Sequence, residues 1–144
     1  MPTVNEILAQ KGGGVIALSP NDTVLTAAQL MSERDIGGIA VVSDGRLVGM
    51  FTERDILRRV VARQLDPATT RLRDVMTSPV LCCEPGASID ECAALMTARH
   101  VRHLPIGSAD SLAGMISIRD LLAYQLRDQQ ATIQFMQNYI FDTR

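Results

Sequence analysis

The 144-residue sequence has no tryptophan and only 3% aromatic residues, so it offers few rings on which nucleic-acid bases could stack. Fourteen lysine and arginine residues stand against sixteen aspartate and glutamate residues, and the formal charge is −2. Proteins that neutralise nucleic-acid phosphates usually carry a basic surplus, so nucleic acid is not an expected partner. No apolar run approaches the roughly 18 residues of a membrane span, and Met1–Lys11 has no features of a secretory signal. A membrane is therefore not an expected partner either.

Metal-binding and disulfide patterns are also missing. Cys82, Cys83 and Cys92 are an odd number without a Cys-x-x-Cys spacing, and their alignment with apolar residues of a second copy, described below, favours structural thiols. His100 and His103 have no acidic or cysteine partner at a metal-ligand spacing. We therefore expect no metal, no disulfide framework and a reducing cytoplasmic location.

The chain contains an internal repeat, which determines how the whole sequence is interpreted. When the sequence is shifted by 65 residues, residues 20–57 lie over residues 85–122 without a gap, and 12 of the 38 positions are identical. A composition of 47% hydrophobic residues suits one compact domain that contains both copies. The predicted organisation is repeat 1 (1–64), a linker (65–71), repeat 2 (72–124) and a C-terminal extension (125–144).

Both copies have the same predicted order of a short strand, an amphipathic helix, a two-stranded hairpin and a second helix. The first helices span Val24–Arg34 and Ile89–Arg99, where apolar residues recur at helical spacing. Asp44-Gly45 is a strong hairpin signal in the first copy. This order predicts an α+β fold of two β-α-β-β-α repeats related by a pseudo-two-fold axis. The short first strands are predicted at Val15–Leu18 and Val80–Cys83.

The most informative motif is a string of glycine, two apolar residues, a hydroxyl residue and an aspartate three positions later. It occurs as Gly49–Asp55 and again as Gly114–Asp120. One interpretation is a capping box, in which Thr52 or Ser117 and the aspartate satisfy free N–H groups at a helix start. Helix N-termini also bind phosphates, and a neighbouring carboxylate can accept hydrogen bonds from ribose hydroxyls. The two roles can coexist, so both interpretations stay open.

The paired strings resemble the tandem cystathionine-β-synthase-type (CBS) domains, also called the Bateman module. Asp74-Val-Met-Thr77 and Arg102-His-Leu-Pro-Ile106 support the resemblance, which covers residues 1–124. It implies a regulatory module that binds an adenosine-containing ligand between the repeats. AMP is the first candidate, and ATP, ADP and NAD(H) are further ones. The resemblance also implies that the module reports energy or redox state in trans to a protein target that the sequence does not identify.

The resemblance implies eight ligand-binding positions. Carboxylates bind the ribose hydroxyls, hydroxyl residues lie near the ribose or phosphate, first-strand residues contact the adenine, and basic residues bind phosphate. For both basic residues, a role without a ligand stays open. In the order of these roles, the positions are Asp55 and Asp120, Thr52 and Ser117, Ile16 and Val80, and Arg102 and His103.

The two sites are not expected to be equal. Repeat 1 has Gly37-Gly38 where repeat 2 has Arg102-His103. Glycines carry no charge but let a ligand approach the backbone closely. We therefore expect a compact mononucleotide against the basic pair and a larger ligand, such as a dinucleotide, in the roomier site.

The C-terminal extension has an apolar stripe that includes Leu126, Ile133 and Met136 at helical spacing. A helix that packs on a second copy, giving a homodimer, is favoured over a helix that folds back on its own core. The alternative function is a dimeric scaffold whose clefts bind nothing. No catalytic motif or nucleophile–base pairing is evident, so we do not expect an enzyme.

Overall fold

The computed structural model describes residues 2–12 and 14–142, and no side chain beyond residue 140. The elements of residues 24–61 recur in the same order from residue 89 onwards. A π-helical segment, Ile56–Val61, continues the short helix α3. In chain order, the elements are α1 (Val4–Lys11), β1 (Ala17–Leu18), α2 (Val24–Arg34), β2 (Gly38–Ser43), β3 (Arg46–Thr52), α3 (Glu53–Asp55), α4 (Leu72–Val75), α5 (Ile89–Arg99), β4 (His103–Gly107), β5 (Leu112–Ser117) and α6 (Ile118–Asp142).

The predicted α+β fold is confirmed, and helices α2 and α5 have the predicted bounds. Thr23 caps α2 and Ser88 caps α5, because each hydroxyl accepts a hydrogen bond from a backbone N–H three residues later. The predicted hairpin between β2 and β3 turns at Asp44 and Gly45, which both have positive φ angles, 53° and 76°.

The strands form two small sheets. In the first sheet β1 pairs parallel with β2, and β2 pairs antiparallel with β3. The second sheet contains only β4 and β5. The predicted strand Val80–Cys83 is wrong, since this segment makes a single bridge, from Cys83 to Ile106. Pro79 and Pro85 flank the segment and have no N–H to donate, which limits how far it can pair.

Each repeat has its own buried core. Each core also contains residues of a short helix that lies next to the other repeat in the sequence. Val4 and Ile7 of α1 are packed in the core of repeat 2. Leu72 and Val75 of α4 are packed in the core of repeat 1. The helix that precedes each repeat in sequence therefore completes the core of the other repeat. We call α1 and α4 the lead-in helices.

Cys92 lies in the core of repeat 2, and Cys83 packs against it. Cys92 is fully buried, and its Sγ lies 2.9 Å from the Sγ of Cys83. Burial and this contact raise the pKa of Cys92 to about 12. The thiol is therefore protonated at neutral pH, as suits a structural residue.

The C-terminal extension is helical as predicted, because α6 continues for 25 residues from Ile118. Its first half is tied to α1, where Tyr124 donates a hydrogen bond to Glu6 and Arg127 donates one to Gln10. Among the described residues, no helix combines the length and the apolar character that crossing a membrane requires.

We expect Leu104→Ala to lower the free energy of unfolding by about 2–5 kcal/mol, because Leu104 is 1% exposed in the repeat 2 core and its truncation leaves a cavity. Leu25→Ala makes the same change at a position that is 40% exposed and should cost less than about 1 kcal/mol. Urea denaturation of both variants measures the difference. Equal losses would contradict the assigned core.

Candidate ligand-binding site

The two repeated motifs form the same structure at the starts of α3 and α6. Thr52 Oγ1 accepts a hydrogen bond from the Asp55 N–H at 3.4 Å, and Asp55 Oδ2 accepts one from the Thr52 N–H at 3.1 Å. The equivalent distances between Ser117 and Asp120 are 3.1 and 2.9 Å. Both motifs are therefore capping boxes with aspartate at the third position.

Asp55 is the one buried polar residue among the described residues, at 5% exposure. Besides the Thr52 bonds, its Oδ1 accepts a hydrogen bond from Thr77 Oγ1 at 3.1 Å and lies 3.6 Å from Arg59 Nε. Both carboxylate oxygens of Asp55 therefore already have partners within the protein.

Asp120 has a more open carboxylate. Its Oδ2 accepts hydrogen bonds from the Ser117 N–H and from Lys11 Nζ, both at 2.9 Å. No described residue donates a hydrogen bond to Oδ1. Burial raises the pKa of Asp120, but the hydrogen bonds from Ser117 and Lys11 outweigh burial and hold the pKa below its ordinary value. The carboxylate is therefore ionised at neutral pH, with one oxygen available.

Two cavities lie between the repeats, one beside each aspartate. The Asp55 cavity has a volume of about 620 Å³ and the Asp120 cavity about 720 Å³. Each combines an aspartate of one repeat with an apolar residue of the other. Asp55 shares its cavity with Val80, and Asp120 shares its cavity with Ile16. The structure thus brings the eight sequence-predicted residues into these two cavities. Thr52, Asp55 and Val80 line the first, Ile16, Ser117 and Asp120 line the second, and Arg102 and His103 line both.

Gly37 and Gly38 do not leave backbone open in the way the sequence suggested. A Cβ atom placed at Gly38 would lie 3.1–3.2 Å from the His103 ring, and one placed at Gly37 would collide with the Glu53 carboxylate. Side chains of the protein itself use the space that the missing side chains provide. The glycines therefore allow His103 to pack on the opposite repeat.

His103 is an uncharged group of this site at neutral pH. Burial is the largest effect on its pKa and lowers it, and Lys11 and Arg102 lower it further. Glu53 and Asp120 act in the opposite direction, but the pKa stays below its ordinary value. The neutral ring can donate one hydrogen bond and accept another.

Sequence reasoning missed several residues of the two cavities. In the sequence Thr77 appears only within a family motif, and no local pattern places Lys11 beside Asp120. No sequence pattern predicts a ligand-binding role for Arg58 or Arg59, and Arg99 only aligns with Arg34 of the other copy. That identity within the repeat was the one signal available.

The comparison with known families decides what this arrangement is. The sequence model of the CBS domain matches twice, over residues 6–62 and 72–127. The chain belongs to the CBS domain family. The CBS domain-containing protein YhcV of Bacillus subtilis is 35% identical over 117 residues, which cover 81% of this chain and 83% of the relative. Hypoxic response protein 1 of Mycobacterium tuberculosis is 31% identical over 94% of this chain and 92% of its own length.

Solved structures show the same fold. A crystal structure of hypoxic response protein I superposes with a TM-score of 0.71 at 32% identity, covering 86% of this chain and 99% of the other. The CBS domain pair of protein MJ0100, solved with 5′-methylthioadenosine and S-adenosyl-L-methionine, gives a TM-score of 0.78 over 89% of this chain and 98% of the other. At 20% identity it shows the fold alone.

The expectation that a CBS pair such as this one takes no metal is wrong, because the structure of hypoxic response protein I holds two coordinated zinc ions. The expectation rested on ligand spacing along the chain, whereas zinc ligands are brought together by the fold and can come from distant positions. Across the side chains of residues 2–12 and 14–140, no three His, Cys, Asp or Glu residues come together in a group able to hold a metal ion.

The lowered pKa of His103 makes stability depend on pH. An unfolded chain binds a proton at this histidine near its ordinary pKa of 6.5, whereas the folded chain resists it until a lower pH. The contribution is therefore complete above pH 6.5 and is lost as the pH falls toward the folded-state pKa. We expect His103→Gln to flatten the decline in unfolding free energy between pH 7.5 and pH 5.5, measured by urea denaturation.

The sequence contains only one other histidine, the exposed His100, so His100→Asn is a matched control. Asparagine tolerates the positive φ of 55° at that position. The control should keep the slope of the parent protein. The same slope in the parent and in His103→Gln would rule out a folded-state histidine that resists protonation.

Proposed function

We propose that this protein is a regulatory CBS module that binds adenosine-containing ligands between its repeats and transmits their binding to a partner protein. It acts as a sensor and not as a catalyst. The observation that carries this proposal is the Ser117–Asp120 capping box at the edge of the Asp120 cavity. It fixes an ionised carboxylate and leaves Oδ1 without a donor from any described residue.

A carboxylate held in this way suits a ribose. The two vicinal hydroxyls of a ribose are both donors, and an ionised carboxylate accepts such hydrogen bonds more strongly than a neutral group. Ile16 and Ile36 give the same cavity apolar surface for a flat base. A volume of about 720 Å³ lies within the usual range for small-molecule sites. The complex of the MJ0100 CBS pair with adenosine compounds is consistent with such an occupant.

The Asp55 cavity can use the same chemistry after a local change. Thr77 and Arg59 occupy Oδ1 of Asp55, so a ribose must displace them or share the carboxylate with them. Ribose binding therefore disrupts existing contacts in the Asp55 cavity but not at Oδ1 of Asp120. We expect the Asp120 cavity to bind a ribose more easily.

Ligand binding in either cavity is coupled to the arrangement of the repeats. Each cavity takes its aspartate from one repeat and an apolar residue, Ile16 or Val80, from the other. A ligand that contacts both groups favours the arrangement in which they are the right distance apart, and it shifts the population toward that state. A partner protein that binds one arrangement of the repeats better than another would respond to this shift.

We expect adenosine-containing ligands to raise the unfolding temperature, with about 2.7 kcal/mol of stabilisation at one hundred times the Kd. Thermal unfolding with ATP, AMP, NAD and S-adenosylmethionine in turn measures the effect. Asp120→Asn removes the ionised acceptor and should weaken the ligand of that cavity about tenfold or more, equivalent to about 1.4 kcal/mol.

Asp110→Asn is the matched control, because Asp110 is an exposed residue of the β4–β5 turn that pairs with Arg46 outside both cavities. It should leave ligand binding unchanged. If no ligand in the series shifts the unfolding temperature at millimolar concentration, the nucleotide proposal is wrong and the dimeric scaffold takes its place.

The same proposal includes a second copy of this chain on α6. Leu122, Leu126, Ile133 and Met136 are all more than half exposed and follow the spacing of one coiled-coil seam. The positions that flank this seam are uncharged, so two identical helices meet no repulsion and no charge pattern calls for a different partner. These flanking positions are Ala123, Gln125, Gln130, Thr132 and Gln137.

We expect the protein to sediment as a dimer at micromolar concentration and Ile133→Glu to sediment as a monomer, because a buried, unpaired carboxylate on the seam is costly. Gln134→Glu adds the same charge one residue away from the seam and should remain dimeric. Sedimentation equilibrium distinguishes the three proteins. A monomeric parent, or a dimer that survives Ile133→Glu, would show that α6 is not the contact.

A further inference from the structure

The two cavities differ in charge much more than in size. The side chains that line the Asp120 cavity carry three positive charges and three negative ones. These are Lys11, Arg102 and Arg119 against Asp35, Glu53 and Asp120. Five arginines line the Asp55 cavity against two carboxylates, a formal excess of +3. These are Arg54, Arg58, Arg59, Arg99 and Arg102 against Glu53 and Asp55.

Two of the five arginines have structural roles. Arg54 donates a hydrogen bond to the His100 carbonyl oxygen at 2.9 Å, which joins the two repeats. Arg59 donates one to the Met76 carbonyl oxygen at 2.7 Å and lies beside Asp55. Their guanidinium groups are therefore committed to the protein, although their charges still contribute to the potential in the cavity.

The other three arginines have no such commitment. The side chains of Arg58, Arg99 and Arg102 make no hydrogen bond or ion pair with any described residue. They come from separate elements. Arg58 belongs to the π-helical segment of repeat 1, Arg99 ends α5, and Arg102 precedes β4. A group bound by all three would span both repeats.

We infer that the Asp55 cavity is a polyphosphate site, which takes the di- or triphosphate form of an adenosine ligand, while the Asp120 cavity takes forms with one phosphate or none. This inference rests on the proposed function and assigns ligand classes to its two cavities. Guanidinium groups bind phosphate oxygens with paired, charge-assisted hydrogen bonds, and three free ones suit a chain of phosphates better than a single phosphate. The charge-balanced Asp120 cavity offers no comparable excess.

This assignment reverses the expectation drawn from Arg102-His103 alone. Those two residues line both cavities, so they do not distinguish them. Arg58 and Arg99 line only the Asp55 cavity, and they give it its preference. Arg58→Gln and Arg99→Gln therefore test the inference, since both side chains are exposed and their replacement should not affect folding.

Isothermal titration calorimetry with ATP, AMP and inorganic tripolyphosphate measures the preference directly. We expect ATP to bind the parent protein in the Asp55 cavity and AMP to bind in the Asp120 cavity. Arg58→Gln and Arg99→Gln should each weaken ATP by about tenfold and leave AMP nearly unchanged. Arg63→Gln is the matched control, an exposed arginine that lines neither cavity, and it should leave both affinities unchanged. The ATP affinity should also fall steeply as salt is raised.

Three results would overturn the inference. Arg58→Gln and Arg99→Gln variants that weaken ATP and AMP equally would remove the charge preference of the Asp55 cavity. ATP binding that Asp120→Asn abolishes but the two arginine variants leave intact would place ATP in the other cavity, with the proposed function still standing. Tripolyphosphate binding as tightly as ATP would show an anion site that does not recognise adenosine. If no adenosine compound binds in either cavity, the proposed function itself fails.

Discussion

The exchange of the lead-in helices is the contact on which the rest of this structure depends. Val4 and Ile7 complete the core of repeat 2, and Leu72 and Val75 complete the core of repeat 1. Neither repeat has a full apolar core without a helix from the other side of the repeat boundary. The two repeats are therefore held together by their cores and not only by surface contacts. This arrangement places the two cavities at the boundary between the repeats.

At that boundary, one local device serves two purposes. An aspartate at the third position of each capping box uses one carboxylate oxygen to close the helix start, and the second oxygen faces a cavity or a neighbouring side chain. Asp55 and Asp120 occupy equivalent positions of the repeated motif but differ in their surroundings. Thr77 and Arg59 contact Oδ1 of Asp55, whereas Lys11 contacts only Oδ2 of Asp120. The same motif thus gives two unequal sites.

The internal repeat was enough to predict the α+β fold, the bounds of α2 and α5, and the helix starts at Thr52 and Ser117. It was not enough to predict which residues surround each aspartate, because that depends on which loops meet across the repeat boundary. Lys11 reaches Asp120 over 109 positions of sequence, a pairing that no local pattern signals. Ligand spacing along the chain also argued against metal, whereas the structure of hypoxic response protein I holds two coordinated zinc ions.

The crossed lead-in helices also bear on how such a chain could have arisen. A half-length protein would have one repeat and one lead-in helix. In the present structure each lead-in helix packs on the repeat that it does not precede, so this helix would not pack on its own repeat. Such a protein could complete its core only by exchanging lead-in helices with a second copy, in a domain-swapped homodimer. When two copies are joined in one gene, the exchanged helices make contacts within a single chain. From that point the halves are free to diverge, as the arginine excess of the Asp55 cavity and the balanced charge of the Asp120 cavity show.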